Sequence, residues 1–178
     1  MNERRTRRLS AHALVNWTAL GALLVGVSAA DITPTKLIWN ASDSLPIGLY
    51  WVRNRTAQRD DLVLVELPKN AGAFAADRRI LPAEMPALKR VAALNGDRVC
   101  RFAQVVSVNG ESVARAQWSD GIGRRMPVWS GCQVLKDGDA FLLADHPNSF
   151  DGRYFGVTKT SRIIGVGLPL WTYGSTGQ

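Results

Sequence analysis

The sequence predicts a mainly β chain: an antiparallel β barrel or sandwich preceded by a single apolar N-terminal segment. Two observations carry this. Between residues 31 and 178, short apolar and β-branched runs recur, separated by Gly, Pro and Asn-Gly turn signals. Before them, Leu9–Ala30 is a stretch of 22 residues with no formal charge when His12 is neutral. The chain therefore reads as a basic tail (1–8), an apolar segment (9–30) and one β domain (31–178).

The formal charge of +7 is unevenly placed. Residues 1–8 hold four arginines and one glutamate, hence +3, which leaves +4 for the other 170 residues. That excess does not call for a nucleic-acid partner, and none is expected. A helix over 9–30 would span roughly the 30 Å of a bilayer core. Two readings are open. The segment is a cleaved signal peptide ending at Ser28-Ala29-Ala30, or it is a retained anchor whose Arg-rich end stays in the cytoplasm. Both carry the β domain across the membrane.

The elements follow in order. Leu37, Ile38 and Trp39 lead into Asn40–Pro46, a polar segment that opens a strand at Ile47–Val52. Leu62–Leu67 is a short strand ended by Pro68, and 70–80 is the one helix candidate beyond the anchor, stopped by Leu81-Pro82. Ala87–Leu94 is a nearly continuous apolar run. Asn95-Gly96-Asp97 turns the chain into a strand over 98–108, and Asn109-Gly110 signals a hairpin leading to Glu111–Val113. Residues 117–129 read as a loop. Further strands are expected at 133–135, 139–144 and 162–166.

Export gives the two cysteines a role. Cys100 and Cys132 are an even pair in an oxidising compartment, so a disulfide is expected. In the chain-entropy model it is worth roughly 3 kcal/mol. Two buried free thiols are the alternative. Two Cys and two His without ligand spacing do not make a structural zinc site, and no metal is expected.

Asn40–Val52 is the stretch with the most chemical content. Pro46 fixes its own φ and biases Leu45 towards an extended backbone, while Gly48 permits close approach. Ser44 thus sits on a stiff mount among small neighbours, as a nucleophile requires, although the same residues make an ordinary polar turn. A nucleophile needs a base. His146 is the sole histidine outside the apolar segment, and Asp145-His146-Pro147-Asn148 also reads as a turn. Lys89 is the other candidate: of the five lysines, it alone is embedded in an apolar strand, Ala-Leu-Lys-Arg-Val-Ala-Ala-Leu. Alternation places Lys89 and Arg90 on opposite faces. Burial would lower the lysine's pKa, whereas an amine snorkelling to water would leave it ordinary.

Three stretches together resemble the signature boxes of the type I signal peptidases, the Ser-Lys membrane proteases. They are Ser42-Asp43-Ser44-Leu45-Pro46-Ile47-Gly48, then Leu88–Asp97, then Asn148-Ser149-Phe150-Asp151-Gly152-Arg153-Tyr154-Phe155-Gly156. The form Asn-Ala-Ser-Asp-Ser-Leu-Pro-Ile-Gly-Leu-Tyr-Trp is closer still to the conjugative-transfer, TraF-type branch. The resemblance implies Ser44 as nucleophile, Lys89 as general base, and Ser42 with the Ser44 N–H as oxyanion hole. It also implies Ser149 as the residue orienting the lysine, and Asp151 with Arg153 as a supporting ion pair. Two positions depart from the family pattern: Asn95 stands where many members have proline, and Gly152 where housekeeping enzymes commonly have serine.

By the same resemblance, the chain is a serine peptidase of the bacterial inner membrane, held in the bilayer through residues 9–30 with its catalytic domain in the periplasm. It would mature a membrane-bound pilin precursor or another exported preprotein, in some systems with cyclisation, and would use no cofactor. The alternatives are a general type I signal peptidase or a non-enzymatic membrane-anchored β module of a conjugation apparatus.

Overall fold

The computed structural model describes residues 15–22 and 37–173. The chain divides into two units, Met1–Pro34 and Thr35–Gln178. In the first, residues 15–22 form a helix (α1) with Val15, Trp17 and Leu20 exposed. The expected tail over 1–8 and most of the expected anchor over 9–30 lie outside the described residues. Among the described residues, no helix is long and apolar enough to cross a membrane.

The second unit is mainly antiparallel β. Its elements are β1 (Leu37–Asn40), β2 (Ile47–Arg53), β3 (Leu62–Val65), helix α2 (Lys69–Asp77), β4 (Ala87–Ala93), β5 (Arg98–Phe102) and β6 (Val105–Val108). There follow β7 (Glu111–Arg115), β8 (Gly131–Val134), β9 (Asp139–Leu143), helix α3 (Gly152–Phe155), β10 (Thr158–Lys159) and β11 (Ile163–Tyr173). Seven strands form one sheet in the order β1-β2-β11-β3-β4-β9-β10, and four form a second in the order β7-β6-β5-β8. The large sheet has two edges, β1 and β10, so the expected barrel or sandwich takes the form of an open sheet that shares a core with a smaller one.

Strands β4 and β9 are the wall between two cores. Ala140 and Leu142 of β9 pack with Val63, Val65, Val91 and Val166. Phe141 and Leu143, on the other face, pack with Val99, Val106 and Val108 of the small sheet and with Leu135 just past β8. Burial on both faces explains why this strand is a continuous apolar run instead of an alternating one. In β4, a register shift between Val91 and Ala93 separates the strand's contribution to one core from its contribution to the other.

Three expectations need correction. The strand expected over 98–108 is a hairpin, β5 and β6, turned at Ala103-Gln104. Ala103 has φ 53°, and its carbonyl accepts a hydrogen bond from Arg101 Nε at 3.1 Å. The turn carries no Gly, Pro or Asn, so composition hides it. The helix ends at Asp77, three residues early, because Arg79 at φ 56° breaks the backbone pattern before Leu81-Pro82 is reached. The last strand runs to Tyr173, well past Val166. It accommodates Pro169 at a register irregularity against β2. The Asn109-Gly110 turn is as expected, with φ 52° and 91°, a left-handed pair that joins β6 to β7.

Candidate active site

The loop between β1 and β2 carries Ser42 and Ser44. Pro46 and the β2 strand behind it give the loop a fixed end. Leu45, 1% exposed, pegs it into a core cluster with Tyr50, Leu88 and Ala144. Gly48 permits the close packing read from its sequence: a Cβ there would lie 2.1 Å from the Trp171 carbonyl oxygen of β11. The Ser44 N–H donates to Ser42 Oγ at 3.3 Å, and the Ser44 carbonyl accepts from the His146 N–H at 3.3 Å. The loop of the first box is thereby tied to the start of the third.

Lys89 lies in β4, with Val63 of β3 directly across the ladder. It is 5% exposed, so the amine is buried instead of snorkelling. Burial pushes its pKa down to about 8, the nearby Asp151 carboxylate pulls it back up, and the Arg153 guanidinium lowers it further. Arg90, on the opposite face, pairs with Asp145 at 2.7 Å. Ser44 and Lys89 line the same cavity of about 370 Å³, together with Ser42, Trp39, Met85 and Phe150. No hydrogen bond joins Ser44 to Lys89 in this state.

Behind the lysine, Asp151 and Arg153 form a buried fork, with contacts of 2.9 Å (Nε–Oδ1) and 2.8 Å (Nη2–Oδ2). Asp151 also accepts from the Ala144 and Arg153 amides, and Arg153 donates to the Ala144 and Pro147 carbonyls. Every strong polar group in the pair thus has a partner, which offsets the cost of burying two charges. The fork binds the end of β9 to α3. Ser149 is buried nearby in sequence, but its Oγ has no hydrogen-bond partner among the described residues. The bond to the lysine amine that the resemblance implies is not formed here.

Residues 10–171 match the family described as signal peptidase, peptidase S26. The chain belongs to the signal peptidase family. It is 32% identical over 165 residues to the plasmid transfer protein TraF of Escherichia coli, an alignment covering 86% of this chain and 92% of that one. To the conjugal transfer protein TraF of Agrobacterium fabrum it is 33% identical over 161 residues, covering 84% and 85%. A crystal structure of a signal peptidase I from Enterococcus faecalis is 20% identical, with a TM-score of 0.38, covering 63% of this chain and 97% of that one.

Within this signal peptidase domain, the first and second boxes meet at one cavity, and the third stands behind the lysine as its electrostatic support. His146 contributes differently from the base considered for it. Its Nδ1 accepts from the Asn148 amide at 3.2 Å, and the residue is not among those lining the cavity with Ser44. Cys100 and Cys132 are bonded across the β5–β8 pair, where they face each other in register. Three residues escaped the sequence reading. Asn40 and Tyr50 hold the loop that carries Ser44, the latter through its hydroxyl on the Pro46 carbonyl at 2.6 Å. Arg101, fully buried, donates to the carbonyls of Ala103, Pro127 and Arg153. Only Asn40 left a trace: a side chain able to form an Asx turn, set where an apolar run ends.

Proposed function

We propose that this signal peptidase family member is a membrane-anchored serine endopeptidase with Ser-Lys chemistry, maturing a pilin precursor or related exported protein of a conjugative transfer system. The observation that carries this reading is a buried lysine, its pKa brought to about 8, on the wall of the cavity that also holds Ser44. A neutral amine beside a serine hydroxyl is a general base at hand for a nucleophile.

In this mechanism, Lys89 Nζ takes the proton from Ser44 Oγ as the oxygen bonds to the scissile carbonyl carbon. The carbonyl oxygen becomes the oxyanion. The Ser44 N–H and the Ser42 hydroxyl, now bonded to each other, both turn to it, and each such donor is typically worth about 3 kcal/mol. The Lys89 ammonium then protonates the leaving amine as the peptide bond breaks, and an ester to Ser44 remains. Water, deprotonated by the regenerated amine, releases the product as a carboxylic acid. Attack by the substrate's own α-amine releases it as a ring. Ser149, with an unpaired buried hydroxyl, is the group assigned to steady the amine through these transfers.

Names of relatives support the transfer-system setting, since both quoted above are TraF proteins of plasmid or conjugal transfer. Membrane proximity is supported by an exposed aromatic cluster on the second unit. Trp39, Trp171 and Tyr173 lie 5.5–6.2 Å apart by ring centroids, flanked by exposed Leu37 and Leu170. Amphipathic rings of this kind favour the bilayer–water boundary. The test is maturation of a co-expressed pilin precursor in cells that do not otherwise process it. Wild type should cut the precursor, and Ser44→Ala and Lys89→Ala should leave it whole. Processing that continues in both variants would overturn the Ser44–Lys89 assignment, and a wild type that leaves the precursor whole would point to a non-enzymatic role.

A further inference from the structure

Among the side chains outside the three boxes, Asn40 makes the most hydrogen bonds to the loop that carries Ser44. Asn40 is the last residue of β1 and stands opposite Gly48 of β2, so it sits where the loop leaves one strand and re-enters the next. Its carboxamide Nδ2 lies within hydrogen-bond distance of three carbonyls, Ser42 at 2.9 Å, Leu45 at 3.1 Å and Pro46 at 3.0 Å, so its two N–H bonds are shared among them. Its Oδ1 accepts from the Ser42 N–H at 3.2 Å. Both ends of the amide are therefore used, and the bonded positions bracket Ser44 on either side. Two further donors complete the set, the His146 N–H on the Ser44 carbonyl and the Tyr50 hydroxyl on the Pro46 carbonyl.

We propose that Asn40 is the positioning residue of the nucleophile, clamping the loop so that Ser44 Oγ and the Ser44 N–H are held ready for the carbonyl and its oxyanion. The proposal rests on Ser44 being the nucleophile. Its physical basis is the division of labour among the loop's polar groups. Carbonyls at positions 42, 44, 45 and 46 accept from donors outside the loop or at its edge. The Ser44 N–H makes only the 3.3 Å contact to Ser42 Oγ, a long bond that an oxyanion can displace. Asn40 thus orders the backbone through its carbonyls and leaves the donors needed for chemistry free. No other side-chain type of that size offers two N–H donors and an acceptor at once. Asp would keep the acceptor but present negative charge to three carbonyl oxygens, and Ala would strip this partner from the Ser42 and Leu45 carbonyls and the Ser42 N–H, leaving the Pro46 carbonyl with Tyr50 alone. A nucleophile displaced by about 1 Å loses about a hundredfold in rate, so the effect belongs in turnover and not in binding.

The experiment uses the full-length protein in detergent micelles and a fluorogenic peptide with an Ala-x-Ala cleavage sequence, the small-residue pattern of signal peptides. Asn40→Ala should lower kcat at least tenfold while KM stays within about threefold and the pH midpoint of kcat matches wild type, because Lys89 is untouched. Asn40→Asp should fall at least as far. Amide hydrogen exchange at residues 42–46 should accelerate in both. A wild-type kcat in Asn40→Ala or Asn40→Asp overturns the clamp, as does a loss of kcat that only follows a loss of folded protein by circular dichroism. Ser44→Ala separates the two levels of the argument. If it still cleaves, the nucleophile assignment fails and the clamp with it; if it is inactive while Asn40→Ala is fully active, the clamp alone fails.

Discussion

Lys89 shows what a single residue contributes. Its burial depresses the pKa from 10.5 to about 8, so at neutral pH most molecules hold a charged amine, and a usable minority hold the neutral base. Activity should therefore rise with pH through about 8. A histidine base would instead give a midpoint near about 6.5. Lys89→Arg should be inactive at every pH, because guanidinium does not deprotonate in proteins. His146→Ala should keep most activity, since the bond from position 146 to the Ser44 carbonyl comes from the backbone. A pH–rate profile of the three proteins checks this. The same shift has a consequence for stability. The folded protein binds fewer protons at this site than the unfolded chain, so stability rises with pH between about 8 and 10.5, and the cost is full below about 8. That cost is about 3 kcal/mol, at about 1.4 kcal/mol per pKa unit. Lys89→Met should therefore melt higher than wild type at pH 7, with the difference shrinking towards pH 10. Calorimetry across that range would show the trend or its absence.

At the scale of elements, the cavity that holds Ser44 and Lys89 and the disulfide belong to different sheets. The cavity draws on β1, β4 and the loops beside them, all on the large sheet, whereas the disulfide joins β5 to β8 in the small one. Strand β8 is an edge strand whose residues are largely exposed, and Cys132 is its covalent hold on the neighbour. A Cys100→Ser, Cys132→Ser double variant should lose roughly 3 kcal/mol of stability. Its kcat per folded molecule should stay near wild type. Denaturant unfolding with parallel activity measurement checks both halves of the expectation. Arg101 links the small sheet to the third box, since its guanidinium reaches from β5 to the Arg153 carbonyl in α3. The ion pair behind Lys89 is thus steadied from the small sheet without a second acid.

For the whole molecule, the membrane-facing role proposed above depends on the exposed aromatic surface of the second unit. The exposed cluster of Trp171 and Tyr173 at the end of β11, with Trp39 on β1, gathers aromatic area beside the cavity that holds Ser44 and Lys89, which Trp39 also lines. A Leu170→Ser, Trp171→Ser variant of the full chain should process a precursor embedded in vesicles more slowly than wild type. It should cleave a soluble peptide at the wild-type rate. Equal slowing on both substrates would point to damage at β2–β11 and would count against a membrane-facing role.

Much of the site was legible from one dimension because its signals are local. A serine on a proline-stiffened segment, a lysine inside an apolar strand and an Asn-Gly hairpin each depend on a few adjacent residues, and the three boxes kept their order along the chain. Strand cores were legible for the same reason, since alternation and apolar runs are properties of a short window. What only the tertiary structure decided depends on distant neighbours. Burial in the folded domain, with the charges of Asp151 and Arg153, sets the pKa of Lys89, and neither charged residue is near it in sequence. The Ala103-Gln104 turn gave no compositional sign, because its left-handed residue is an alanine held by the Arg101 side chain. In sequence, Asn40 reads only as the first residue of a polar segment after an apolar run. Its importance comes from three carbonyls and one amide that the folded loop brings within reach of a single carboxamide.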